Sequence, residues 1–144
     1  MLSTRNAYAS YRERQIMTAP PEYLVALIYK EAILHCKKAL EYFNTKDISA
    51  ISNSIIKVES LIIELLSSLD EEKGGEIAKN LKTLYLYMYR LLVDANVKKN
   101  EAGVKEVLSL LEELAATWDE AVKKTVVSTH SGDKEGTNSA IRKS

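Results

Sequence analysis

Histidine, cysteine and carboxylate side chains come together in one stretch of this sequence, "KEAILHCKKAL", which holds Glu31, His35 and Cys36. An exposed imidazole here would allow phosphoryl transfer of the kind that histidine phosphotransfer bundles perform, and a low-pKa thiolate would be a nucleophile. The surroundings favour neither chemistry. Cys36 lies inside an apolar helical run, the setting of a small buried hydrophobe. It is the only cysteine, so no internal disulfide is possible, which fits a reducing compartment. His35 stands at the edge of the apolar arc beside Glu31, Lys37 and Lys38, as an ordinary boundary histidine would. A di-iron carboxylate site needs two Glu-x-x-His pairs and two further glutamates on facing helices. This chain has His35 and His130 only, and Glu31 precedes His35 by four positions rather than three. "KGGE" lacks both the spacing and the Lys-Ser/Thr ending of a phosphate-binding loop. No catalytic residue, metal or cofactor is expected, and the chain is read as a non-enzyme.

The elements that carry these residues follow from length, charge and punctuation. A chain of 144 residues can bury roughly two-thirds of its unfolded surface in one domain without metal or disulfides. Twenty basic and twenty acidic side chains cancel, with a pI near 6.7. That balance argues against capture of nucleic acid or an anionic membrane by long-range charge, so any binding surface should be apolar and local. The opening residues show no basic stretch followed by an apolar one, and no run approaches the 18 or so apolar residues of a membrane span. A cytoplasmic protein without membrane insertion is expected.

Beyond residue 21 there is no proline, and glycine is sparse until the last 13 residues, so helices should be long. Periodicity predicts four of them, over Pro21 to Phe43, Ile48 to Leu69, Gly75 to Val97 and Glu101 to Val126. Apolar residues at steps of three and four form a seam on each. The seams are Val25, Ile28, Ala32, Cys36, Ala39, Phe43; Ile48, Ile51, Ile55, Val58, Ile62, Leu65, Leu69; Ile77, Leu81, Leu84, Met88, Leu91, Ala95; and Val104, Val107, Leu111, Leu114, Trp118, Ala121, Thr125. Short connections force antiparallel neighbours, so the expected fold is all-α: an antiparallel up-down-up-down four-helix bundle with crossing angles near 20°. Asp47 is placed to cap the second helix. The expected organisation is an N-terminal arm over residues 1–19 that carries Tyr8, Tyr11, Ile16 and Met17, a bundle over 20–127, and a disordered tail over 128–144 that lacks periodicity.

One helix carries more apolar surface than a bundle needs. In "NLKTLYLYMYRLLVDAN", Tyr85 and Leu92 sit on the shoulder of the seam, while Leu86, Tyr89, Val93 and Val97 form a second stripe well over 100° away. On the first helix, Tyr23, Leu27 and Leu34 project among lysines in the same manner. The last helix fills its outer face with Glu106, Glu113, Glu120, Lys105, Lys123 and Lys124, and only Leu110 strays. A helix apolar nearly all round is normally covered, by its own arm, by a second copy or by a client.

Three motifs in order, "TAPPEYLVALIYKEAI", "GGEIAKNLKTLYLYMYRLLVDAN" and "EVLSLLEELAATWDEA", together with the arm "AYASY", resemble the flagellar secretion chaperone family FliS over roughly residues 7 to 122. The middle motif is the most specific, with Gly-Gly before the helix and Ala-Asn at its end. The family usually has Ser where Pro20 stands, so the side-chain cap of the first helix is missing here, although Pro21 suits a first helical turn. The resemblance implies a cytoplasmic, non-enzymatic bundle that binds the disordered C-terminal region of flagellin, prevents premature polymerisation and presents the client to the flagellar type III export gate. On that reading Tyr23, Leu27, Leu86, Tyr89 and Val93 would supply the client-binding groove, and the arm would lie over part of it until displaced. Two alternatives stay open: an export chaperone for a different flagellar client, and a self-associating helical bundle that buries the stripe in a weak homodimer.

Overall fold

A computed structural model describes residues 21–130, with side chains described over 23–123. Four helices follow one another: α1, Pro21–Thr45; α2, Ile48–Ser68; α3, Glu71–Lys98; and α4, Glu101–His130. Each packs on its neighbours in a closed ring, α1 on α2, α2 on α3, α3 on α4 and α4 on α1. Helices α1 and α3 therefore occupy one diagonal, and the fold is the all-α antiparallel bundle the periodicity predicts.

The connections are as short as a bundle allows. Lys46 adopts the left-handed region at φ 58°, which turns the chain sharply, and the Asp47 side chain then accepts the Ala50 amide at 3.1 Å as the cap of α2. Lys99, at φ 52°, ends α3 in the same way. Asp70 caps α3 by accepting the amides of Glu72 and Lys73. The regular part of α3 starts five residues later than its first turn, because Gly75 takes φ 56° and ψ −134°, a conformation that belongs almost wholly to glycine. The salt bridge from Lys82 to Glu71 at 3.3 Å spans this break. At the far end, Gly103 lets α4 approach α3, since a Cβ there would stand 2.9 Å from the Ala95 Cβ.

Helix α4 continues to His130, past the expected end at Val126 and through the first residues assigned to the tail, because no glycine or proline interrupts it before Gly132. Residues 1–20 and 131–144, and with them the arm residues Tyr8, Tyr11, Ile16 and Met17, lie outside the described residues.

The core contains most of the expected seams: Ile28, Ala32, Cys36 and Ala39 from α1; Ile51, Ile55, Val58, Ile62 and Leu65 from α2; Met88 and Ala95 from α3; Val104, Val107 and Leu111 from α4. Each fully buried Ile, Leu or Val contributes roughly 1.5–3 kcal/mol relative to exposure. Several positions differ. Ile48 and Ile77 are 57% and 72% exposed: Ile48 is the first residue of α2, and Ile77 stands two residues beyond the break at Gly75, near the end of the bundle. Tyr85 and Leu92, expected on the shoulder of α3, are buried in the core, while Leu84 and Leu91 are only partly buried. The whole α3 seam is thus rotated toward α2 relative to the pattern. The rotation brings the Tyr85 hydroxyl to 2.6 Å from that of Tyr29 on α1, across the diagonal. The α4 seam weakens at its end, where Trp118 is half-buried and Ala121 exposed.

Candidate functional site: an uncovered apolar face between α2 and α3

The apolar residues left outside the core obey a simple rule of geometry. Stepping forward one residue rotates a side chain by about 100°. On two antiparallel helices the two rotations run in opposite senses, so residues that follow core positions turn toward the same outer groove, and residues that precede them turn toward another. Two contacts verify this here. Lys37 and Glu112, one step beyond buried Cys36 and Leu111, meet at 4.0 Å on the α1–α4 side. Tyr87 and Glu106, one step before buried Met88 and Val107, share a hydrogen bond on the α3–α4 side.

Leu86, Tyr89 and Val93 each follow a buried residue of α3, namely Tyr85, Met88 and Leu92. They therefore turn away from α4 and toward α2. On α2, Ile56 and Ile63 follow buried Ile55 and Ile62 and turn toward α3. The two sets line one outer face. Ile56, Ile63 and Val93 are 51%, 47% and 38% exposed, and Leu86 and Tyr89 are half-buried, Tyr89 with its ring against the core. Val97 prolongs the face at 79% exposure.

Ile56 and Ile63 were not among the residues the periodicity assigns to a binding face. Their signal is the pairing of isoleucines at 55–56 and 62–63, which widens the apolar arc of α2 by about 100° beyond the side of its seam. Tyr29 escaped in a similar way. It completes the 4–3–4–3–4 series Val25, Tyr29, Ala32, Cys36, Ala39, Phe43, whereas the expected seam has Ile28 as its second member.

Tyr23 and Leu34 are exposed and Leu27 is half-buried, all on the outer face of α1. Because α1 and α3 are diagonal, this set does not share a groove with Leu86, Tyr89 and Val93. The five residues expected in one groove thus fall on two separate faces of the bundle.

The polar chemistry around these faces is muted. Burial pushes the Cys36 thiol up to about 12, with the Glu112 carboxylate adding to the effect, which leaves it protonated and unreactive. His35 is held against Glu31 at 3.7 Å, one turn away on the same helix. Among the described residues no group of His, Cys, Asp and Glu is placed to hold a metal ion, and no helix is long and apolar enough to cross a membrane. Desolvation raises the pKa of Glu59, which follows buried Val58 and stands on the α2–α3 face.

A slender antiparallel bundle with apolar surface uncovered outside its core is the architecture of a protein-binding helical module. The family model described as flagellar protein FliS matches residues 4–125, and the chain belongs to the FliS family of flagellar secretion chaperones. The flagellar secretion chaperone of Salmonella typhimurium is 35% identical over 78% of this chain and 84% of its own length. That of Campylobacter jejuni is 32% identical over 79% and 89% respectively. The Bacillus subtilis protein is 25% identical over 85% and 90%.

Proposed function

We propose that this protein is a cytoplasmic export chaperone for flagellin. It binds the disordered C-terminal segment of flagellin, keeps that segment from polymerising early, and delivers it to the flagellar type III export apparatus. The observation that carries this reading is the uncovered apolar face of Ile56, Ile63, Leu86, Tyr89 and Val93 on a chain with no net charge, in a member of a flagellar secretion chaperone family. An amphipathic segment that must later pack into a filament needs a surrogate apolar partner while it waits, and a bundle face one or two helices wide supplies it.

The second apolar patch on α1, with Tyr23, Leu27 and Leu34, shapes the mode of binding. A client that touches both patches has to wrap around the bundle, as short helices joined by extended links. Folding on binding of this kind buries on the order of 1,000–3,000 Å², while ordering the client subtracts some 2–5 kcal/mol or more, which keeps the complex releasable.

Isothermal titration with a peptide of the last 40 or so residues of flagellin from the same organism tests the proposal, with a peptide from the outer part of flagellin as control. Tight 1:1 binding with a large negative heat-capacity change, specific to the C-terminal peptide, is the expected result. No heat at several temperatures, with the protein eluting at twice its mass, would assign the face to self-association instead.

A further inference from the structure

Glu59 is the one charged residue in the middle of the α2 side of this face. Its neighbours at one helical turn are Ile55, Ile56, Ile62 and Ile63, the four isoleucines of the two pairs. No Lys or Arg stands three or four positions away on α2, so the carboxylate has no intrahelical cation to pair with. It takes no hydrogen bond or ion pair from any other described residue. The side chain is half-buried.

The α3 side of the face does carry cations. Lys79 follows buried Ala78 and Lys82 follows partly buried Leu81, so both turn toward α2. Lys82 is engaged by Glu71, and neither lysine makes an ion pair with Glu59. Arg90, one step beyond Tyr89, turns outward.

A half-buried carboxylate set among four isoleucines, with no partner among the described residues, is partly stripped of water already and so favours an incoming cation. We propose that Glu59 is the specificity-determining residue of the α2–α3 face. It selects, and fixes the register of, a client amphipathic helix that carries a Lys or Arg within its apolar stripe. The apolar residues supply area to any hydrophobic helix. Glu59 discriminates, because a helix with a purely apolar stripe would leave the carboxylate buried and unpaired, and one with an acidic residue there would be repelled. This inference rests on the chaperone reading and adds the client's chemistry to it.

The test uses the full chain and the flagellin C-terminal peptide, with wild type, Glu59→Gln and Glu59→Lys compared by titration after far-UV circular dichroism has shown equal helicity. Binding is expected to weaken at least about tenfold in Glu59→Gln and further in Glu59→Lys. Peptides in which each basic residue is changed to Glu in turn are then titrated against Glu59→Lys. One of them is expected to regain most of the lost affinity, which identifies the paired residue. Equal affinity of wild type and Glu59→Gln overturns the inference while leaving the chaperone reading intact. Tighter binding by Glu59→Gln overturns it too, because the carboxylate then holds a segment of this chain that competes with the peptide. A peptide that fails to bind wild type removes the chaperone reading itself.

Discussion

The hydroxyls of Tyr29 and Tyr85 meet at 2.6 Å across the diagonal of the bundle, both rings buried among aliphatic side chains from the other helices. Neighbouring helices are tied together by their seams, but α1 and α3 are not neighbours, and this bond is a polar link between them. Each hydroxyl satisfies the other, so removing one leaves the other orphaned. Tyr29→Phe and Tyr85→Phe are each expected to lower stability by about 1–3 kcal/mol, and the double variant by less than the sum. Urea denaturation of the four proteins closes that cycle.

Gly75 holds φ 56° and ψ −134°, with no atom near enough to hinder an added Cβ. The cost of Gly75→Ala is therefore backbone strain and not a clash. A loss of about 1–3 kcal/mol is expected by thermal or urea melting. Helix content is expected to stay the same, since Asp70 still caps the first turn of α3.

Asp47→Ala removes the acceptor of the Ala50 amide and is expected to cost about 1 kcal/mol. Asp47→Asn, which keeps an acceptor oxygen at the cap, is expected to restore most of it. Equal stability of all three proteins by chemical denaturation would contradict a capping role.

The Cys36 thiol, raised from 9.0 to about 12 by burial and the nearby Glu112, gives a pH dependence whose sign follows directly. Its folded-state pKa lies above the unfolded one, so its stabilising contribution is complete below pH 9 and is lost as pH rises toward 12. Stability is expected to fall above pH 9 by up to about 1.4 kcal/mol per unit. The buried phenols of Tyr29 and Tyr85, also raised, act in the same direction above about pH 10. Melting curves of wild type and Cys36→Ala between pH 8 and 10.5 separate the thiol from the phenols. At pH 8 the native thiol is expected to resist a thiol reagent that labels the unfolded chain.

Val93→Asp is the clean probe of the outer face, because Val93 is exposed whereas Tyr89 packs against the core. Ile56→Asp and Ile63→Asp are its counterparts on α2. All three are expected to weaken flagellin-peptide binding by tenfold or more with melting temperatures within a few degrees of wild type. Tyr89→Asp is expected to lower stability as well, so its binding loss is not diagnostic.

Much of this fold can be read from local spacing alone. Seams at steps of three and four, three short connections and sparse glycine dictate four antiparallel helices, and Asp47 marks the start of α2, because these features depend on residues a few positions apart. The motif around "LYLYMYRLLVDAN" carries the family in the same local way. Local spacing did not decide how far each helix is rotated about its own axis. That angle depends on what stands opposite: α3 turns its Tyr85 rather than Leu84 inward because Tyr29 waits across the diagonal, a partner 56 positions away in sequence. The same long-range choice brought Leu92 in and left Leu91 only partly buried, and the packing of the helices put Tyr23 and Leu27 on a different face from Val93. Apolar surplus was visible in the sequence as stripes on single helices. Which stripes adjoin is a property of the ring in which the helices pack, and only the tertiary structure joined Ile56 and Ile63 of α2 to Leu86, Tyr89 and Val93 of α3.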